Sequence, residues 1–353
     1  MNNMDIKEFL KITIERGASD LHLMASNPPM LRIDGTLFPS SDQVLTERGV
    51  KELTYQLLND EQKEILLVNK EIDFSFAFGE EARFRINAYH ERGRLAVALR
   101  CLPIKIRSIE ELNLPKILHE FTKLKQGFIL VTGPTGHGKS TTLAAMIEEI
   151  NQNRRCHIVT IEDPIEYVFS HKKSIISQRE LHLDTHSWDI ALRSCLREDP
   201  DVVLIGEMRD YETIASALTV AETGHLVLAT LHTNSAAQTV DRIVDVFPPY
   251  QQEQVKMQLS NTLEAIVSQR LLPCLSGGRI PACEILVTTP AVRTTIREGK
   301  THLIDNIIQT SAEVGMITLE AHLAELVKAG RISLETARAW ALRPETLMRQ
   351  MKR

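Results

Sequence analysis

The chain has 353 residues, 43% hydrophobic and 25% charged, which is enough for two domains with real cores. Its net charge of −5 gives no overall basic field for nucleic acid, and no charge-free apolar run approaches the roughly 18 residues of a membrane span. Cys101, Cys156, Cys195, Cys274 and Cys283 are odd in number and never spaced C-x-x-C, which argues against a disulfide framework or a four-cysteine zinc site.

The opening "MNNMDIKEFLKITIERG" has the mixed charges of an amphipathic helix over about 4–16, not the apolar core of a signal peptide. The chain is therefore expected to be cytoplasmic. Strands are predicted at "DLHLM" (20–24) and "MLRIDG" (30–35), and a polar helix near 46–68. "DFSFAF", "ARFRINAYH" and "LAVALRCLP" then alternate like antiparallel strands, with "GEEA" and "ERGR" as turns. These elements predict a small α/β domain over 1–105. Residues 103–125, with Pro103 and Pro115, read as a connector (106–125) carrying one helix.

From 126 to 353 the pattern changes. Continuous apolar runs, "GFILVTG", "HIVTIED", "DVVLIGE" and "HLVLATLH", alternate with helical segments, which predicts a parallel sheet buried on both faces. Beyond about 250 the pattern reads as helical, through "QVKMQLSNTLEAIVSQRLL" and a C-terminal set over 290–353.

"GPTGHGKST" fits G-x-x-x-x-G-K-[ST] between an apolar strand and a helix. Glycines let backbone N–H groups approach phosphates at a helix N-terminus that favours anions. The nucleotide-binding candidates are Gly133, Pro134, Thr135, Gly136, His137, Gly138, Lys139, Ser140 and Thr141. Lys139 is expected to reach the β- and γ-phosphates of ATP, and the Ser140 hydroxyl to hold Mg2+. His137 reads as solvent-facing.

Phosphoryl transfer also needs a metal-linked acid and a residue to orient water. Glu207 ends the run "DVVLIGE", and Glu162, Asp163 and Glu166 end another, where a parallel sheet places its ligands. Glu207 is the expected metal-linked acid, directly or through water. Arg209 and Asp210 read as a structural pair orienting that loop. His225 and His232 bracket the run "HLVLATLH"; on the residues alone they are metal ligands, proton shuttles or, most simply, core and strand-end histidines. Arg83 and Arg85 share one face of a strand by period-two spacing, and arginine suits bidentate phosphate contact.

"GASDLHL", "GPTGHGKST", "IEDPIE", "REDPDVVLIGEMRD" and "TGHLVLATLHTNSA" occur in an order that closely resembles the PilT-type retraction ATPases of type IV pili, within the wider secretion ATPase superfamily. The resemblance runs over nearly the whole chain. It implies an N-terminal PAS-like domain joined to a RecA-like ATPase domain with a helical C-terminal region, assembled in rings of six. It implies further that Glu166 is the catalytic glutamate, Glu207 the Walker B glutamate, and Arg83, Arg85 and Arg100 the arginines that meet the phosphates of a nucleotide. "TGHLVLATLH" matches the family's histidine box, so His225 and His232 become site residues near the nucleotide. "AVRTTIRE" (291–298) matches a family motif linked to retraction, with Thr294 and Thr295 departing from it and Arg293, Arg297 and Glu298 kept. His137 departs from the serine usual in the phosphate loop.

The implied function is an ATP-driven motor for pilus retraction, peripheral at the inner face of the cytoplasmic membrane, acting on a platform protein of the inner membrane. Extension motors usually carry a longer N-terminal region and a four-cysteine zinc motif, and this sequence has neither. An accessory paralogue of the PilU type, a paralogue working as a partner, and a slow nucleotide-gated scaffold remain as alternatives. A nucleic-acid motor is disfavoured by the acidic balance and the lack of an aromatic-basic groove.

Overall fold

A computed structural model describes residues 5–33, 35–79, 82–102 and 105–352. The turn residues Glu80 and Glu81, and Pro103 of the expected connector, lie outside the described residues. The chain divides into two units, Met1–Lys105 with Pro164–Val168, and Ile106–Asp163 with Phe169–Arg353.

In the first unit, helix α1 (Ile6–Glu15) is capped by Asp5, whose side chain accepts from the Lys7 N–H. Strands β1 (Asp20–Met24), β2 (Met30–Ile33) and β3 (Thr36–Pro39) follow. The polar stretch near 46–68 is two helices, α2 (Glu47–Tyr55) and α3 (Asp60–Asn69), because Asn59 starts a new helix with a capping box to Gln62. Strands β4 (Glu71–Phe78), β5 (Ala82–Glu91) and β6 (Arg94–Leu102) complete a six-stranded sheet of order β3-β2-β1-β6-β5-β4. Every pairing in it is antiparallel. Along β5, Ala82, Phe84, Ile86 and Ala88 are buried while Arg83, Arg85, Asn87 and Tyr89 are half-buried, so alternation sends the arginines to the face away from the core.

The second unit begins with 106–125, which is packed structure rather than a connector. Ile109, Leu114, Leu118 and Phe121 are buried. Helix α4 (Leu118–Lys123) is tied to α5 (Lys139–Asn153) through His119 Nδ1, 2.9 Å from the Glu149 carboxylate. Before α5 comes β7 (Gly127–Thr132), buried along its whole length. Then follow β8 (His157–Glu162), β9 (Ile175–Glu180), α6 (Trp188–Cys195), β10 (Val202–Ile205), α7 (Tyr211–Glu222), β11 (Leu226–Leu231), α8 (Ala236–Asp245) and α9 (Pro249–Thr262).

The expected helix "QVKMQLSNTLEAIVSQRLL" stops at Thr262. Residues Leu263–Pro273 form β12 and Arg279–Val287 form β13. The apolar set of Leu263, Ala265, Ile266 and Val267 is buried on both faces beside β7, so its lack of period-two alternation hid a central strand. The sheet order is β13-β12-β7-β11-β10-β8-β9, parallel except for the β12–β13 hairpin. The C-terminal helices are α10 (Pro290–Arg297), α11 (Ile304–Thr310), α12 (Leu319–Lys328), α13 (Leu334–Trp340) and α14 (Pro344–Met351). No helix among the described residues is long and apolar enough to cross a membrane.

Candidate nucleotide site

The parallel register fixes where the site lies. Leu231 of β11 pairs with Thr132 of β7, and Ile205 of β10 pairs with Ala229 of β11. The residues that follow these strand ends, Gly133, His232 and Glu207, therefore emerge at one edge of the sheet, as ligand-binding groups of open α/β sheets do.

The loop 133–138 closes onto β12 without room for a side chain at its first glycine. Gly133 has φ +142°, and a Cβ there would stand 2.2 Å from the Gln269 carbonyl oxygen. Gly138, at φ +81°, opens α5. Lys139 is 8% exposed, and its ammonium donates to the Gly133 and Pro134 carbonyls at 2.9 and 3.0 Å. The loop is thus curled around its own cation at a helix N-terminus, an arrangement suited to a phosphate chain.

Gln269 carries no sequence signal of its own, yet it ties this loop to the first turn of α5. Its Nε2 donates to the His137 carbonyl at 2.8 Å, and its Oε1 accepts from Thr142 Oγ1 at 2.7 Å. His137 is half-buried rather than solvent-facing. Its Nδ1 accepts the Leu271 N–H at 2.9 Å, and its ring lies edge-on to Trp340 with centroids 5.4 Å apart. The expectation of a loose side chain fails because the loop runs along β12, which continues past the end of β7.

Glu207 is positioned by backbone on both sides. The Gly206 N–H donates to the Ile161 carbonyl at 2.8 Å and the Met208 N–H to the Thr230 carbonyl at 3.1 Å. Its carboxylate takes a bidentate pair from Arg209 at 2.7 and 2.9 Å, and lies 2.9 Å from His232 Nε2. Burial pushes this carboxyl upward, but the Arg209 hydrogen bond and the charges of His232, Arg209 and Lys139 outweigh it and hold it below the usual glutamate range. Arg209 does not pair with Asp210. Asp210 caps α7 by accepting the Thr213 N–H at 2.9 Å, leaving Arg209 for Glu207. Nδ1 of His232 lies 3.4 Å from both Lys139 Nζ and Thr135 Oγ1.

His225 is placed elsewhere. It precedes β11, its carbonyl accepts the Gly127 N–H at 3.0 Å, and its Nδ1 donates to the Val220 carbonyl at 3.0 Å. At about 3.3 Å per residue the strand carries His225 roughly 20 Å from His232, to the opposite edge of the sheet. Of the two, His232 stands beside the phosphate loop, and His225 stands at the other end of β11 in the same chain. Glu162 is buried at the end of β8, accepting from Thr160 Oγ1 at 2.7 Å.

The remaining candidates belong to the first unit. Arg85 pairs in register with Arg100, and Arg100 with Asp20, so Arg83, Arg85 and Arg100 share one sheet face. Arg100 Nε donates to Asp20 at 3.0 Å, and Arg83 donates to Ser75 Oγ at 2.6 Å. Glu166, half-buried, also groups with this unit. In α10, Arg293 ties down the end of α9 through the Ser260 and Asn261 carbonyls and pairs with Glu264 at the start of β12, while Thr294 and Arg297 face solvent.

For a divalent ion the donors at the loop are oxygens, the Ser140 hydroxyl and the Glu207 carboxylate, a hard set that suits Mg2+ bound together with phosphate oxygens. Among the described residues no cluster of three or more His, Cys, Asp or Glu could hold a metal without such help.

Comparison with known proteins gives the same picture from outside. The family described as Type II/IV secretion system protein matches residues 3–347. The chain is 48% identical over 342 residues to the type IV pilus retraction ATPase PilT of Pseudomonas aeruginosa, covering 97% of this chain and 99% of that one. It is 40% identical over 339 residues to the type IV pilus ATPase PilU of the same organism, covering 96% and 89%. Among solved structures, the crystal structure of the pilus retraction motor PilT with bound ADP superimposes with a TM-score of 0.92 at 48% identity, covering 98% of this chain and 99% of that one.

Proposed function

The chain belongs to the Type II/IV secretion system protein family, and from that premise we propose that it is the ATP-hydrolysing motor that retracts type IV pili. The observation that carries the reading is the convergence of Lys139, His232 and Glu207 at the carboxyl edge of the parallel sheet, in a chain similar to a retraction ATPase along its whole length. The lesser identity to PilU favours the retraction motor itself over an accessory paralogue.

In this reading the N–H groups of residues 133–141 cradle the phosphates, and Lys139 exchanges its carbonyl partners for phosphate oxygens. Ser140 and Glu207 are the residues that would hold Mg2+, which neutralises phosphate charge when bound. Glu166 orients the attacking water. Arg83, Arg85 and Arg100 supply charge to the phosphates, in their own chain or in a neighbouring copy. Differential contacts of His232 with ATP and ADP turn hydrolysis into movement. The working assembly is a hexamer that sits at the inner face of the cytoplasmic membrane, turns a platform protein, and works beside a paralogous retraction ATPase.

Deletion of the gene followed by imaging of labelled surface pili tests the reading. Abundant pili that no longer retract, restored by the wild-type gene and not by Lys139→Ala, are expected. Bald cells would instead indicate an extension motor, and normal pili an accessory or scaffold role. If copies share arginines, specific ATPase activity rises with protein concentration, and concentration-independent turnover would remove that part.

A further inference from the structure

Strand β12 outruns its neighbour. β7 ends at Thr132, which pairs with Ser268, whereas β12 continues to Pro273 with only β13 beside it. The Leu271 N–H, which points away from β13, therefore faces the phosphate loop instead of a strand, and an unpaired donor there has a cost. The Leu271 N–H finds its acceptor in His137 Nδ1 at 2.9 Å. One residue of the loop thus replaces the missing strand.

The same imidazole reaches a second element. Trp340, the last residue of α13, meets it edge-on at an interplanar angle of 61°. Trp340 is itself seated on an apolar cluster that includes Leu272, Ile280, Ala282, Leu319 and Ala337, so α13 is fixed to the β12–β13 hairpin. The charged groups around the ring are Arg270 on β12, Arg279 on β13 and Lys139 on α5. All three are cations, and with burial they favour the neutral ring whose Nδ1 is free to accept.

We propose that His137 is a positioning residue of the phosphate loop, latching it to β12 through Leu271 and to the C-terminal helix α13 through Trp340, so that nucleotide affinity depends on the C-terminal helices. The inference rests on nucleotide binding at this loop and goes beyond it. No chemical step passes through the imidazole. It holds the loop in the curled form that presents its N–H groups, and the C-terminal segment sets how firmly.

The test uses full-length protein and ATP with Mg2+. His137→Ala should raise KM for ATP about three- to tenfold with kcat changed far less, in line with loss of one partly buried hydrogen bond. His137→Asn, which places an amide oxygen near the Nδ1 position, should restore KM and remove the weakening of affinity expected of the wild type as pH falls below the usual histidine range, where burial and the neighbouring cations put protonation of the ring. Trp340→Ala should raise KM in part, and the His137→Ala/Trp340→Ala double variant should fall short of the product of the two effects. Hydrogen exchange at the Leu271 amide should quicken in His137→Ala and not in His137→Asn, a readout independent of turnover. Unchanged KM and unchanged exchange in His137→Ala would overturn the latch, as would a double variant that multiplies the single effects. A wild-type chain that binds no nucleotide, with Leu271 exchange still responding to His137→Ala, would sink the nucleotide reading while leaving the latch in place.

Discussion

Nε2 of His232 lies 2.9 Å from Oε1 of Glu207, and the two residues reach each other from the ends of β11 and β10. The ring is satisfied on both sides when its proton sits on Nε2, because Nδ1 then accepts from Lys139 or Thr135 at 3.4 Å. A change of partner at Lys139 is therefore felt at Glu207 through one imidazole.

Arg209 keeps Glu207 ionised, which has a readable consequence. Burial alone pushes the carboxyl up, and the Arg209 pair with its neighbouring cations overcomes that. In Arg209→Ala the carboxyl moves upward, so the ionised fraction falls at mildly acid pH. The acid limb of the ATPase profile should shift to higher pH, with the deficit larger near pH 5.5 than near pH 8 (both round values). An equal proportional loss at the two pH values would show that Arg209 acts otherwise.

Glu166→Gln separates an engine from a nucleotide-gated scaffold. With Glu166 orienting water, turnover should drop by about 10²–10⁴-fold while ADP affinity stays within a few-fold of the wild type. Turnover at the wild-type rate would favour the scaffold.

Gly133→Ala should abolish nucleotide binding and lower Tm. The added Cβ meets a backbone carbonyl at 2.2 Å, which no rotamer change can relieve, and φ +142° adds strain. Binding of a fluorescent ATP analogue and a thermal melt check both halves. A variant that binds normally would mean that β12 moves to make room.

Glu284 makes stability fall with rising pH. Burial is the main cause that lifts its carboxyl to about 7, helped by Asp305 and Glu320 and opposed by the Ala236 N–H and Arg343. Unfolded, the group ionises near 4.5, so between 4.5 and about 7 the folded state holds the extra proton and stability declines as pH climbs. Glu284→Gln keeps an acceptor for the Ala236 N–H and removes the titration. Its Tm should gain on the wild type between pH 5 and 8, by the equivalent of at most about 3 kcal/mol. Parallel melting curves across that range would contradict the assignment.

Much of the chain was legible before any tertiary structure. The phosphate loop, the acid ending "DVVLIGE" and the antiparallel segments of the first unit are set by local rules, a glycine pattern at a strand–helix junction and strand alternation. Where apolar residues run continuously, those rules lose their grip. The segment Leu263–Pro273 reads as a continuation of the helix before it, and its hydrogen bonds to β7 and β13 make it a strand instead, because a short continuous apolar run has no period of its own to tell the two apart.

Pairwise placement lies further from reach of the sequence. His225 and His232 look alike as the two ends of one apolar run, but a parallel strand has a direction, so just one of them stands where the loop emerges. Gln269 and Trp340 carry no motif, because what they do depends on His137, more than 130 residues away along the chain. Arg209 lies within "REDPDVVLIGEMRD", but its partner is Glu207 rather than Asp210. The sequence by itself determined that this protein has a phosphate loop on a parallel sheet, since both follow from neighbours along the chain. Which side chains close around that loop was decided by the tertiary structure, since strand order and register, β12 beside β7 and β11 beside β10, are set by packing between distant segments.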